Sequence, residues 1–147
     1  MTARLISMER TVDAPPDRVY RMWADADTLN QWLSFAVEGS LLPGARSVLV
    51  FARQRIEVDV LAAEPNSRFA FRWRHTGPPD LATDVSVTIV PRGWGSRVAL
   101  TDGPYDTDDP AGLDEYAAAI EIWAAALTQM RASVDYSIDL RMERRPS

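Results

Sequence analysis

The fold of this chain is decided by the stretch Thr11–Trp23, TVDAPPDRVYRMW, and by the Gln31-Trp32-Leu33 that follows it. Pro15 suits a first helical position, because its missing N–H needs no partner there and its φ already fits a helix. Asp17 places a carboxylate near the positive end of the helix dipole. The apolar spacing predicts one buried helical face, made of Val19, Met22 and Trp23. The stretch therefore predicts the end of a strand and then two short amphipathic helices.

The composition is that of an acidic globular chain without cysteine. A length of 147 residues predicts a single domain spanning 1–147. The net charge of −5 argues against a nucleic-acid partner, since such proteins present a basic face. The lack of cysteine excludes disulfides and thiolate catalysis, and no segment resembles a signal peptide or a membrane span. We therefore expect a cytoplasmic protein with no nucleic-acid partner and no membrane span.

After the helices, short runs alternate between apolar and polar residues and are separated by turn signals. The first strand, residues 4–13, also alternates, and its inner face carries Arg10 among apolar residues. In the run 68–75 the aromatic residues share one face, namely Phe69, Phe71 and Trp73. The opposite face carries two arginines that we expect to lie near two acidic residues of the preceding strand: Arg72, Arg74, Glu57 and Asp59. These patterns predict an antiparallel meander covered on one side only.

We expect a long helix near the C-terminus to cover the sheet. Asp109-Pro110 is typical of a helix cap and first turn. Apolar residues then recur at spacings of four and three along one stripe: Tyr116, Ile120, Trp123, Leu127, Met130, Val134 and Ile138. A helix over about 112–138 would be roughly 40 Å long. One long helix facing a curved antiparallel sheet of six to seven strands predicts an α+β helix-grip domain, with a tail that frays from Arg141.

Four motifs in order resemble one superfamily. Besides Thr11–Trp23, these are Ala63-Glu64-Pro65 with Phe69–Trp73, the strand Gly95–Thr101, and Trp123–Met130 on the last helix. Together the motifs are similar to the SRPBCC superfamily (START/Bet v 1-like helix-grip domains), in particular its branch similar to the activator of heat-shock-protein ATPase. The resemblance implies the helix-grip fold. It leaves activity open, because the superfamily includes lipid carriers, hormone receptors, polyketide cyclases and co-chaperone domains, so function must be argued from the site.

In such a fold the space between sheet and helix is a candidate ligand cavity. We expect it to be lined by some of eight residues: Arg10, Trp32, Phe35, Phe71, Trp73, Ile120, Trp123 and Leu127. Arg10 on an inner face needs a partner, which could be a carboxylate, a backbone carbonyl or the anionic head of a ligand. The alternative is that Arg10 reaches solvent at the end of its strand. The aromatic residues are equally compatible with an ordinary core.

The sequence shows no catalytic constellation, so catalytic residues stay unknown. His75 is the only histidine, and a histidine at the end of a strand is more often structural than catalytic. Asp106, Asp108 and Asp109 lack the glycine and glutamate of a calcium loop, so capping of the long helix explains them better. We therefore expect no metal and no cofactor.

Three functions fit these residues. The first is binding of a small, mostly hydrophobic molecule (a lipid, polyketide or aromatic metabolite) between sheet and C-terminal helix, by a monomer or a homodimer. The second is a polyketide cyclase- or aromatase-like enzyme that uses polar groups such as Arg10, His75 or Tyr105. The third is a chaperone-activator-like interaction domain that uses the outer face of the sheet. Convergent polar groups would favour the enzyme, a dry pocket the carrier, and an exposed apolar patch the interaction domain.

Overall fold

The computed structural model describes residues 2–33, 36–51, 54–75 and 81–143. It contains seven strands and four helices in that part of the chain. The elements are β1 (Ala3–Val12), α1 (Pro16–Ala24), α2 (Ala26–Trp32), β2 (Ala36–Glu38), β3 (Arg46–Phe51), β4 (Gln54–Glu64), β5 (Arg68–Arg74), β6 (Ala82–Arg92), β7 (Gly95–Asp106), α3 (Pro110–Tyr136) and α4 (Leu140–Glu143).

The strands form one antiparallel sheet in the order β1-β7-β6-β5-β4-β3-β2. Strands β2 to β7 are a meander, and β1 joins it by pairing with β7. The long helix α3 covers the inner face, and the two short helices follow β1. This architecture confirms the predicted α+β helix-grip class.

The two short helices begin as the local sequence requires, with one difference of position. Pro15 is the residue before α1, and Pro16 is the proline in its first turn, so the helix starts one residue later than predicted. The predicted apolar face of α1 is buried. Asp25 begins α2 by accepting a hydrogen bond from the backbone N–H of Thr28 at 3.1 Å. That bond satisfies one of the free donors at the helix start.

The predicted facing of β5 is confirmed. Phe69, Phe71 and Trp73 are all buried on the inner face. On the outer face Arg74 contacts Asp59 at 2.7 Å, as expected. Arg72 instead contacts Asp84 at 2.9 Å, because β6 is its other neighbour and places Asp84 directly opposite it. Exposed pairs of this kind contribute little to stability, about 0.2–1 kcal/mol each.

Helix α3 begins at Pro110 and is roughly 40 Å long. It ends at Tyr136, because Ser137 takes a left-handed conformation with φ of 55°. Ile138 therefore lies outside the helix and is exposed, contrary to its place in the predicted stripe. The middle of the stripe is the covered part: Trp123, Leu127 and Met130 are at most 1% exposed.

The chain after α3 turns back onto α2 and is anchored there. The guanidinium of Arg141 donates hydrogen bonds to the backbone carbonyls of Asn30, at 2.7 Å, and Leu33, at 2.9 Å, and also to that of Gln31. Asp139 holds the guanidinium at 2.8 Å. The fraying predicted for the tail from Arg141 to Ser147 is wrong for Arg141, because these contacts satisfy the free carbonyls at the C-terminus of α2. Residues 144–147 of that tail lie outside the described residues.

Candidate functional site

A small cavity lies between the sheet and α3. Its volume is about 20 Å³, and every side chain that lines it is hydrophobic. One wall consists of core aromatic residues: Trp23, Phe69, Phe71 and Trp123. The other wall comes from α2, the chain after it and the strands beneath: Leu29, Leu33, Leu41, Leu49 and Val58. A volume of this size is close to the minimum that admits a single water, and a site without polar partners stays dry.

Of the eight residues expected to line a pocket, Phe71 and Trp123 line this cavity. Trp73 is buried beside Trp123, with ring centroids 5.2 Å apart. Leu127 is fully buried, and Ile120 is partly buried against the same core. Phe35 lies outside the described residues. Contact of these side chains with a ligand stays a prediction.

Trp32 and Arg10 lie elsewhere. Trp32 is buried against Trp23 at a ring distance of 4.9 Å, and its indole N–H donates to the carbonyl of Met22 at 2.8 Å. The guanidinium of Arg10 donates to the carbonyl of Glu9 at 2.7 Å and lines an open surface groove. Arg10 thus follows the alternative considered above, in which its long side chain carries the charge out to solvent. The expectation that it reaches the interior does not fit this position.

A cluster of polar side chains lies under α3 beside the cavity. We call it the polar cluster and define it as Glu115, His75, Thr83, Tyr105 and Asp102. His75 Nδ1 lies 2.9 Å from Glu115 Oε2, and His75 Nε2 lies 2.9 Å from Thr83 Oγ1. The hydroxyl of Tyr105 lies 3.3 Å from Thr83 Oγ1 and donates to Asp102 Oδ2 at 2.6 Å. The cluster therefore runs from a partly exposed carboxylate to a fully buried one.

The contacts of His75 lie on both sides of its ring. Nδ1 faces the carboxylate of Glu115, and Nε2 faces the hydroxyl of Thr83. Tyr105 uses its single proton on Asp102. Both ring nitrogens of His75 are then occupied within the protein, which is the environment of a positioned structural histidine.

Asp102 connects the polar cluster to the cavity. The indole N–H of Trp123 donates to Asp102 Oδ2 at 2.9 Å, while the ring of Trp123 forms part of the cavity wall. Oδ2 therefore accepts from both Trp123 and Tyr105. The other carboxylate oxygen, Oδ1, is buried and has no hydrogen-bond partner among the described residues.

An irregularity in β7 brings Asp102 and Tyr105 to the same face. Residues three apart in a regular strand point to opposite faces. Here the pairing with β1 shifts register between Arg4 and Ile6, whose partners are Tyr105 and Asp102. The shift is a bulge-like feature around Gly103, where a Cβ would lie only 3.0 Å from the carbonyl of Arg4. Both side chains are 0% exposed as a result.

The environment of Tyr105 favours its neutral form. Burial raises the pKa of the Tyr105 hydroxyl above its ordinary value, and the nearby Asp102 carboxylate raises it further. A neutral phenol keeps the proton that it donates to Asp102. Tyr105 thus serves as a hydrogen-bond donor in the folded protein.

The sequence contained a signal for Asp102 that the strand assignment missed. Val98 and Leu100 are buried on the inner face of β7, and Asp102 continues the same alternation. Asp102-Gly103-Pro104 resembles a turn, which suggested that the strand ended at Thr101. In the structure β7 continues to Asp106.

The remaining candidate features serve local structure. Asp106 accepts a hydrogen bond from the backbone N–H of Asp108, and Asp108 accepts one from Thr2. Asp109 precedes α3 but makes no side-chain cap bond, so its expected capping role is not seen. Within residues 2–33, 36–51, 54–75 and 81–143, no group of three acidic or histidine side chains could hold a metal ion. None of the helices in those ranges is long and apolar enough to cross a membrane.

The comparison with protein families gives one match. The model of the family described as "Activator of Hsp90 ATPase homolog 1-like protein" matches residues 13–135. That range includes both short helices, the whole meander and nearly all of α3. No curated protein matches the chain significantly.

Solved structures share the fold at low sequence identity. A protein of Mesorhizobium loti is 20% identical, with a TM-score of 0.77 over 98% of this chain and 100% of that one. The Aha1 dimer of Colwellia psychrerythraea is 17% identical, with a TM-score of 0.78 over 90% of this chain and 97% of that one. CalU16 of Micromonospora echinospora is 24% identical, with a TM-score of 0.72 over 97% and 81%. At these identities the likeness concerns the fold alone.

Proposed function

The chain belongs to the activator of Hsp90 ATPase homolog 1-like family, and from that premise we propose that it binds a small, mostly apolar molecule between the sheet and α3. A lipid, a polyketide or an aromatic metabolite has the required character. The observation that carries the proposal is the cavity lined only by hydrophobic side chains. A structure of the same fold at 19% identity, DynU16, is described as a putative protein in the dynemicin biosynthetic locus, which is a reason to include small metabolites among the ligands tested.

The size of the cavity implies that binding requires a wall to move. A volume of about 20 Å³ is far below the ~300–1,000 Å³ of pockets for drug-sized ligands. The two walls of the cavity belong to different secondary-structure elements. The aromatic wall belongs to α1, the central strand β5 and α3. In the other wall Leu33 is the C-cap residue of α2, Leu41 follows the short edge strand β2, and Leu49 lies in β3. We therefore assign the movement to the wall formed by α2 and the β2–β3 edge.

Apolar burial supplies the binding energy in this proposal. A ring system the size of an aromatic side chain buries ~150–250 Å². At ~25 cal/mol per Å² this gives ~4–6 kcal/mol before the cost of association is subtracted. We therefore expect weak binding of a small probe, with a Kd of roughly 0.1–1 mM, and tighter binding of a ligand that fills more of the space.

The polar cluster does not make catalysis the preferred function. A general base needs a free position within hydrogen-bond reach of its substrate. Both nitrogens of His75 and the hydroxyl of Tyr105 already contact neighbouring side chains. On the outer face, ion pairs occupy positions of strands β4 to β6 where an interaction domain was expected to show an apolar patch. The cyclase-like and chaperone-activator-like functions remain the alternatives to be excluded.

Two adjacent leucines provide the test. Leu41 lines the cavity and is 8% exposed, whereas Leu42 is 66% exposed. We expect Leu41→Phe to fill the space and weaken binding of the neutral dye Nile red at least fivefold, measured by fluorescence titration. Leu42→Phe should bind the dye like the wild type. Urea unfolding of both variants verifies that the comparison is between folded proteins.

Equal dye binding by the two variants would overturn the proposal, because the dye would then sit elsewhere. Native mass spectrometry of freshly purified protein provides a second readout. We expect a bound small molecule that is lost in Leu41→Phe and kept in Leu42→Phe. A protein partner in place of a small molecule would favour the interaction function instead.

A further inference from the structure

Resting on the proposed function, we infer that the ligand carries a hydroxyl or amino group, and that Asp102 Oδ1 accepts its hydrogen bond. The starting observation is that this oxygen is fully buried and has no partner among the described residues. A buried carboxylate oxygen without a donor is costly, which makes such atoms rare in folded proteins. This oxygen is therefore an acceptor that a ligand donor can use.

The surroundings of Asp102 Oδ1 select the kind of ligand group that can bind there. Two donors, the Tyr105 hydroxyl and the Trp123 indole N–H, already hold Oδ2 at 2.6 and 2.9 Å. They occupy Oδ2 and leave Oδ1 as the remaining acceptor of this carboxylate. A ligand hydroxyl or amino group completes this arrangement, whereas a ligand carboxylate or ether oxygen would meet a like charge or a second acceptor. Fatty-acid-like anions are thereby disfavoured.

The position of Asp102 fits the polar end of a ligand whose apolar body enlarges the cavity. Asp102 lies opposite Val85 in the sheet, and Val85 lies opposite Phe71, which lines the cavity. Asp102 and Phe71 are therefore two strands apart on the same face, about 10 Å between Cα atoms. Trp123 lies between them, contacting Asp102 with its N–H and Phe71 with its ring at a centroid distance of 6.2 Å. Trp123 therefore borders both the cavity and Asp102.

The same residues explain why the polar end would be held in one orientation. Tyr105 is fixed by Thr83 as well as by Asp102, and Thr83 is fixed by His75. A donor that arrives at Oδ1 would meet a carboxylate that cannot rotate without breaking two existing hydrogen bonds. A positioned acceptor of this kind gives specificity within an otherwise apolar site.

The test compares two probes that differ only at one oxygen. 2-Naphthol offers an O–H donor, and 2-methoxynaphthalene has the same ring with an acceptor only. Both are neutral at pH 7 and can be measured by displacement of Nile red. We expect the wild type to bind 2-naphthol at least tenfold more tightly than 2-methoxynaphthalene.

Two variants make the result specific to Oδ1. In Asp102→Asn the amide oxygen can still accept from Tyr105 and Trp123, and the amide N–H₂ then occupies the vacant position. We expect the preference to disappear or to reverse toward 2-methoxynaphthalene. Tyr136→Phe removes the hydroxyl of an exposed tyrosine and leaves Asp102 with both of its donors, so the preference for 2-naphthol should be kept.

The outcomes separate this inference from the function on which it rests. Equal binding of the two probes by the wild type would overturn the inference and leave apolar binding intact. The same conclusion follows if Asp102→Asn keeps the wild-type preference, as it would if a buried water satisfied Oδ1. If neither probe nor Nile red binds, both the inference and the proposed function are wrong.

Discussion

The cavity and the polar cluster both lie under α3 but are stabilised in opposite ways. At the cavity, all contacts are between hydrophobic side chains, and a small space remains unfilled. At the polar cluster, directional hydrogen bonds hold the groups, and one buried oxygen remains unpaired. Apolar contacts are non-directional and tolerate a change of volume, whereas hydrogen bonds fix distances and angles. We therefore call the cavity the adaptable end of the interior and the polar cluster the rigid end. Trp123 contacts both.

The largest effect should come from removing the residue that both ends share. Trp123 is 1% exposed and contacts Phe71, Trp73 and Asp102. We expect Trp123→Ala to lower the free energy of unfolding by about 3–5 kcal/mol, measured by urea denaturation. Trp94→Ala is the matched control, because Trp94 is 99% exposed and should change the value by less than about 0.5 kcal/mol. A loss below about 1 kcal/mol at Trp123 would mean that α3 does not pack on the sheet there.

A smaller loss of stability is expected from a change in the polar cluster alone, the rigid end. Tyr105→Phe keeps the ring but removes a donor to the buried Asp102. We expect a loss of about 1–3 kcal/mol, since a buried acceptor would lose one of its two donors. Tyr136→Phe is the control, because Tyr136 is exposed.

Tyr105→Phe and Tyr136→Phe should differ in how their stability changes in alkaline solution. The pKa of Tyr105 is raised in the folded protein, first by burial and then by the charge of Asp102. A raised folded-state pKa gives stability that is fully present below the unfolded value of about 10 and is lost as the pH rises above it. We expect this alkaline loss in the wild type and in Tyr136→Phe, and a shallower loss in Tyr105→Phe. Identical alkaline profiles for all three proteins would contradict the assigned role of the Tyr105 hydroxyl.

At the adaptable end, the anchor of α2 should matter more for ligand access than for stability. Arg141 holds the carbonyls of Asn30, Gln31 and Leu33, and Leu33 lines the cavity. We expect Arg141→Ala to cost about 1 kcal/mol and to raise the association rate of Nile red in stopped-flow measurements, because the wall opens more easily.

Arg131→Ala is the control for that experiment. Arg131 is half exposed and pairs with Asp135 on α3, whose side chain is only 8% exposed. Removing Arg131 should cost no more than about 1 kcal/mol without changing the association rate. Equal rates for the wild type and Arg141→Ala would mean that α2 is not the wall that moves.

Sequence patterns predicted the fold because regular alternation and helical spacing report directly on which side chains are buried. The aromatic face of β5 and the central stripe of α3 were predicted residue by residue. Positions that depend on an irregularity could not be found in this way. The register shift in β7 places Asp102 and Tyr105 on one face, and the pairing of β5 with β6 gives Arg72 its partner Asp84.

The candidate site was predicted less well than the fold for a related reason. Phe71 and Trp123 were correctly placed between sheet and helix, but Arg10 was assigned to the interior from the alternation of β1 alone. Alternation gives the face on which a side chain begins and not where a long flexible side chain ends. The contact of His75 with Glu115, 40 residues away in sequence, depends on how α3 sits on the sheet.

The indole N–H signals of the five tryptophans test the central claim most directly. Trp23 and Trp123 line the cavity, Trp32 and Trp73 are buried outside its walls, and Trp94 is 99% exposed on the β6–β7 turn. In ¹⁵N-labelled protein titrated with 2-naphthol, binding between sheet and α3 predicts the largest shifts at Trp23 and Trp123 and none at Trp94. Shifts confined to Trp94, or no shift at any tryptophan at saturating probe, would contradict the claim that this interior is a binding site.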